Sequence, residues 1–292
     1  MAGQILVIGS SGLVGSRFVE LFPHPELLLT PSESEFNFLR PASITSYLAA
    51  RPVSSVLNFA AFTDVAAAEA ERGDTAGLCW QVNVSGVHLL RSLIAPSALL
   101  IQISTDMVFS GSSSDPGPYP EDHAPEPDPS RVTWYGFSKS QAELAAGPGA
   151  AVVRISSPVR ARYPAKLDYF RKPLALFDGG QLYPLFTDQR LTISFIDEVT
   201  LALQAIINDH RSGIFHVSSS DVTTPYEVIS YLLSSARHQS GVVKPASLAS
   251  QPSSVRYPRF GGLKCALTQA ALGQSFSSTK VIIAKLISQG LT

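Results

Sequence analysis

The sequence predicts an α/β protein: a Rossmann-type doubly wound parallel sheet, with a smaller mixed α/β lobe towards the C-terminus. Three observations predict it. Short apolar runs alternate with longer helix-patterned stretches through residues 1–90. A glycine-rich turn follows the first apolar run directly, and beyond residue 160 the pattern loosens around Pro164, Pro173, Gly179-Gly180 and Pro184. Strands separated by helices require crossover connections, which build parallel sheets. Sheets covered on both faces use continuously apolar strands.

Taken in order, residues 4–8 read as a buried strand and 12–21 as a helix. A second strand is expected at 26–29, a second helix at 41–50 and a third strand at 55–59. Two alanine-containing helical stretches follow, at 65–70 and 75–93; they either cover the sheet or form a homodimer face. Residues 98–103 and 150–154 repeat the buried-strand pattern, and helical periodicity returns at 196–207, 225–235 and 279–288. Residues 110–131 stand apart, with six prolines and five acids in 22 residues. Such a segment is either a disordered surface loop or a lid beside a site. The expected division is a dinucleotide-binding domain over 1–158 and a substrate lobe over 159–292, with 190–217 returning to the first.

Composition narrows the function classes. The 292 residues carry 22 Lys+Arg against 23 Asp+Glu, a net charge of −1, and are 45% hydrophobic. That describes a globular chain with a core. No basic face is available for phosphate neutralisation, so nucleic acid is not an expected partner. No apolar run approaches the roughly 18 residues of a membrane span, and the start lacks the basic region of a signal peptide. Cys79 and Cys265, the only cysteines, read as free thiols in a reducing, cytoplasmic setting. No metal site is assigned.

The turn Gly9-Ser10-Ser11-Gly12-Leu13-Val14-Gly15 carries the first chemical signal. Gly9 permits the tight turn, Gly12 lets the backbone approach a pyrophosphate, and Gly15 lets helix and strand pack closely. The helix N-terminus then offers free N–H groups to the phosphates. Placement between strand and helix points to a dinucleotide. The second strand ends at Leu29-Thr30-Pro31-Ser32, without the acid that usually holds the ribose of NAD. The sequence therefore leans to NADP over NAD, with Arg17 as a cation that could reach a 2′-phosphate.

Tyr135 and Lys139 are four residues apart, a spacing that stacks both on one helix face. A free phenol titrates at about 10 and is a poor acid at neutral pH. A neighbouring ammonium favours the phenolate and brings it towards the working range. The same ammonium can donate to a ribose. Ser104-Thr105-Asp106 ends a strand at the carboxyl edge, where doubly wound sheets bind ligands. The Thr105 hydroxyl is placed to hold a carbonyl near Tyr135; a turn cap is its plain alternative.

Together these motifs make the chain similar to extended short-chain dehydrogenase/reductases of the dTDP-4-dehydrorhamnose reductase type. The resemblance also runs through residues 58–65 with Ala68-Glu69, Val82-Asn83-Val84, 103–109, Glu143 and 213–217. It implies that Tyr135 is the proton donor, Lys139 its electrostatic partner and ribose ligand, and Thr105 the carbonyl-orienting hydroxyl. It implies a cofactor lined by Gly9, Ser11, Gly12, Leu13, Val14, Gly15, Ala60, Ala61, Phe62 and Ile103, with Asn83 supporting the active-site helix. Thr105, Asp106 and Ser157 would meet the substrate.

Several positions depart from the pattern. Met107 replaces the usual Tyr, Ala66 an Asp, Arg131-Val132-Thr133 a Pro-x-Asn lead-in, and Ser157 a substrate-contacting Trp. The C-terminal Arg-Pro segment has become Arg259-Phe260-Gly261-Gly262-Leu263-Lys264. The departures fall on substrate contacts and spare the hydride machinery. The implied activity is NAD(P)H-dependent reduction of a keto group on a nucleotide-activated deoxysugar. An epimerase and a non-catalytic regulatory subunit on the same fold are the alternatives.

Overall fold

The computed structural model describes residues 3–250 and 255–291. Its main sheet is parallel throughout, built from β1 (Gln4–Ile8), β2 (Leu28–Leu29), β3 (Val53–Asn58), β4 (Leu99–Thr105), β5 (Ala151–Ile155) and, following a further strand in the chain, β7 (Gly213–Val217). The spatial order is β2-β1-β3-β4-β5-β7. Here the chain reverses its direction of travel between β1 and β3, which opens a crevice at the carboxyl edge. Strand β4 is buried along its whole length, as expected of a central strand covered on both faces.

The connections are helical. They are α1 (Leu13–Leu21), α2 (Pro41–Ala49), α3 (Val65–Ala70), α4 (Leu78–Trp80), α5 (Gly86–Leu93) and α6 (Trp134–Ala146). One apolar cluster joins β1, β4, β5 and β7 to Phe18 of α1 and to Val199 and Leu203 of α8 (Ile196–Asn208). A second, on the other face, joins the sheet to Ile44, Leu90 and Ala142. The expected helical runs at 65–70 and 75–93 thus lie over the sheet and α6.

The remaining elements are α7 (Arg171–Asp178), β6 (Leu185–Phe186), α9 (Pro225–Arg237), β8 (Pro245–Ala246), α10 (Ala266–Leu272) and α11 (Thr279–Ser288). Short strands β6 and β8 pair in parallel, and α7, α9 and α11 share their own core around Phe170, Leu232 and Ile282. Helix α8 packs on α1, tied by Arg17 to Asp197 at 2.7 and 2.8 Å and by Gln204 to the Leu21 carbonyl.

Two sequence expectations change. The strand expected at 26–29 shrinks to Leu28–Leu29, because Pro25 opens a 3-10 turn over Pro25–Leu27. The helix expected from 75 begins at Leu78, after Gly77, and a π turn over Gln81–Ser85 separates α4 from α5. Such π turns interrupt helices where a side chain must be re-aimed. Residues 110–131 are tied along their backbone to the segment 258–264. Gly117 donates to the Phe260 carbonyl, Tyr119 to Gly262, and Lys264 back to Tyr119.

Candidate active site

The glycine turn is built as its spacing requires. Gly9 adopts φ 76°, and a Cβ on Gly15 would collide with the Gly9 carbonyl oxygen. Gly12 begins α1 with no side-chain cap, which leaves N–H groups of the first turn for an anion. The turn therefore suits a dinucleotide pyrophosphate. Ser11 lies exposed above it, and its carbonyl accepts a 2.7 Å hydrogen bond from the Tyr163 hydroxyl.

Arg17, the cation expected to reach a 2′-phosphate, is already paired. Asp197 of α8 and Glu20 hold its guanidinium, and the pairing raises its pKa further. Past β2, the Glu35 carboxylate folds back to accept from Ser32 N–H at 2.9 Å and Ser32 Oγ at 2.7 Å. Sequence reading placed no acid at this edge; the turn brings one back. Arg40 of the same loop donates to the Glu33 and Ser34 carbonyls, and Arg51 is the cation that acts on the Glu35 carboxylate.

At the carboxyl end of β4 three successive residues take three different partners. The Ile103 carbonyl accepts from Lys139 Nζ at 2.6 Å. Ser104 Oγ donates to Glu143 Oε1 at 2.5 Å. Thr105 Oγ1 donates to Asp106 Oδ1 at 3.3 Å and accepts from the Met107 N–H at 3.2 Å, so it also caps the turn over Asp106–Val108. Asp106 is buried; Ser156 Oγ donates to its Oδ2 at 2.7 Å and the Gly262 N–H is a further donor. Burial pushes this carboxyl above its usual range, against those donors.

Tyr135 and Lys139 lie on α6, whose first turn is capped by Thr133. Gly136 lets that turn pack on the turn over Asp106–Val108 that follows β4: a Cβ there would collide with the Met107 carbonyl. Tyr135 is half-buried and Lys139 buried. Burial pulls the ammonium down to about 8, partly opposed by Glu143. The phenol is pushed above its ordinary range, first by burial and then by the Asp106 carboxylate. The ammonium expected to lower Tyr135 is held on the Ile103 carbonyl, and the groups that push the phenol up besides burial are Asp106 and Cys79.

Asn83, aimed by the π turn, joins the post-β3 segment to α6. Its Oδ1 accepts from the Phe62 N–H at 2.8 Å, and its Nδ2 donates to the Phe62 carbonyl and to Ser138 Oγ. Ser138 in turn donates to the Tyr135 carbonyl at 2.7 Å. Ala60, Ala61 and Phe62 are partly exposed beside it. Ser157, with φ 44° directly before Pro158, follows β5. Its neighbour Ser156 donates its N–H to Ser194 Oγ at 2.8 Å, and its carbonyl accepts from the Ser194 N–H at 2.8 Å. Such a φ is costly for a residue with a side chain, all the more before proline. Sequence reading missed Ser156, Ser138 and Gly262, whose importance depends on what approaches them in space.

With this geometry in place, the chain can be compared with known proteins. The family model described as RmlD substrate binding domain matches residues 3–291. The chain belongs to that family. It is 28% identical over 261 residues to a dTDP-4-dehydrorhamnose reductase of Mycobacterium tuberculosis, covering 86% of this chain and 83% of the relative. It is 30% identical over 235 residues to the same-named protein of Mycolicibacterium smegmatis, covering 78% and 67%. The fold matches the Bacillus anthracis dTDP-4-dehydrorhamnose reductase crystallised with NADP, with TM-score 0.86, 19% identity and coverage of 99% and 100%. Among the described residues, no helix of this family member is long and apolar enough to cross a membrane.

Proposed function

We propose that this chain is an NAD(P)H-dependent reductase of a keto group on a nucleotide-activated deoxysugar. What supports the reading is the grouping of Thr105, Asp106, Tyr135 and Lys139 around the carboxyl end of β4, in a sheet whose first helix opens on an uncapped glycine turn. The names of its relatives supply the substrate class.

In this reading Gly9, Ser11, Gly12, Leu13, Val14 and Gly15 hold the pyrophosphate. Ala60, Ala61, Phe62 and Ile103 line the remaining length of the dinucleotide. The cofactor, NADP or NAD, supplies the hydride when bound. Lys139 Nζ, already fixed on the Ile103 carbonyl, has donors left for the ribose. Thr105 Oγ1 orients the substrate carbonyl, and Tyr135 Oη gives its proton to the developing alkoxide. The phenol carries that proton at neutral pH, as a proton donor must. Asp106 and Ser157 face the sugar from β4 and β5, with residues 159–292 closing the other side. The chemistry needs no metal from the protein.

The test is a panel of 4-keto nucleotide sugars with NADPH and NADH, followed through loss of nicotinamide absorbance. Turnover of at least one supports the reading. Cofactor binding without turnover of any member would instead favour a regulatory subunit. One relative is named as a subunit, methionine adenosyltransferase 2 subunit beta of Danio rerio, 28% identical over 207 residues, 66% of this chain and 61% of its own length.

A further inference from the structure

Beneath the floor of the site lies a buried ion pair that the reaction does not use directly. Glu143, one helical turn beyond Lys139 on α6, receives Arg154 of β5 in a two-point grip. Nε donates to Oε1 at 2.9 Å and Nη2 to Oε2 at 2.7 Å. Arg154 is among the largest fully buried side chains of the molecule. Its remaining nitrogen, Nη1, approaches His216 Nε2 at 3.3 Å and the His123 carbonyl at 3.4 Å. Burial and Arg154 hold His216 down at about 3. It is therefore neutral, with Nδ1–H on the Lys264 carbonyl at 3.0 Å. The Arg154 guanidinium also lies 5.0 Å from the Phe109 ring centre.

This pair is joined to the catalytic strand at successive residues. Ser104 Oγ donates to Glu143, while the preceding carbonyl, Ile103, accepts from Lys139. Lys139 and Glu143 therefore grip β4 together from one face of α6, and Arg154 fixes Glu143 from β5. Bidentate Arg–carboxylate pairs are directional as well as strong. A buried pair is weak evidence for stability alone, since apolar replacements are often as stable. Its placement needs another account.

We propose that the Glu143–Arg154 pair is a positioning element for Lys139: it fixes the register of α6 on β4 and supplies the counter-charge that keeps the buried ammonium ionised. The titratable groups facing Lys139 are Glu143 from its own helix and the Cys79 thiol from α4, which burial keeps neutral, with the Ile103 carbonyl from β4. Arg154 acts through Glu143, and Asp106 acts on Tyr135. The balance is deliberate in sign. Glu143 favours the ammonium, and Arg154 tempers Glu143. Removing either partner should move Lys139 in opposite directions.

The inference rests on Lys139 acting beside the cofactor, so the test reads Lys139 itself as well as turnover. Lysine 13Cε resonances, assigned with Lys139→Met, give its titration midpoint by NMR. The midpoint near 8 should fall by about one unit or more in Glu143→Gln, and rise in Arg154→Met. The alkaline limb of kcat/KM for the cofactor should follow both shifts. If a single variant fails to fold, the double variant Glu143→Gln/Arg154→Met removes both charges and should show the lower midpoint. A midpoint that stays at its wild-type value in the folded variants overturns the proposal. Full turnover by Lys139→Met would overturn the catalytic reading instead, whatever the midpoints do.

Discussion

Tyr135 and Lys139 are shifted by the same cause in opposite directions. Burial disfavours both charged forms, so the phenol rises and the ammonium falls to about 8. Below about 8 Lys139 is charged and, on the proposed reading, donates to the ribose; as pH rises through that value the charge is lost. Reductase kcat/KM for the cofactor should therefore decline above about pH 8, with no alkaline limb from Tyr135 in the same window. A profile flat well beyond that pH would contradict the assignment. Glu35 gives a second expectation at this scale, because its carboxylate sits on Ser32 at the edge of β2. Glu35→Gln should lower KM for NADPH relative to NADH, since a 2′-phosphate would no longer meet a negative charge. Steady-state KM values for the two cofactors measure it, and an unchanged ratio would place the adenosine end elsewhere.

Helix α6 positions the site through close approach as much as through its polar residues. A methyl at position 136 would meet the Met107 carbonyl, so Gly136→Ala should tilt the helix away from β4. Overpacking of this kind costs about 1–3 kcal/mol, readable as a lowered Tm, together with a loss of turnover out of proportion to the stability change. A Gly136→Ala protein with wild-type activity would show that the helix tolerates displacement. The Tyr–Lys spacing on α6 was legible because four residues make one helical turn. The reason for Gly136 was not, because it depends on a carbonyl from another element. Asn83 shows the same division: its residue type was readable, whereas the π turn that aims it arises from the packing of α4 and α5 against α6.

At the scale of the molecule, the segment after β5 reaches back to the glycine turn through Arg160 and Tyr163. Arg160 donates to the Leu13 carbonyl, to Ser16 Oγ and to both Glu20 oxygens, while Tyr163 takes the Ser11 carbonyl. Arg160→Ala removes charge-assisted bonds of about 1–3 kcal/mol in sum and frees the turn on one side. It should lower Tm and raise KM for the cofactor more than for the sugar. Equal effects on both would argue against a tie specific to the phosphate turn. The parallel sheet was readable from its apolar strands, since each needs no partner to reveal its pattern. The ties from residues 110–131 to 258–264 were not, because irregular segments carry no period.

On the proposed reading, Tyr135 protonates a ketone reduced in the crevice above β4. The decisive experiment is stopped-flow measurement of cofactor oxidation with a 4-keto nucleotide sugar, wild type against Tyr135→Phe. The Tyr135→Phe protein should still bind NADPH but oxidise it about 10²–10⁴-fold more slowly. Oxidation at the wild-type rate by a chain lacking the phenolic hydroxyl would contradict it.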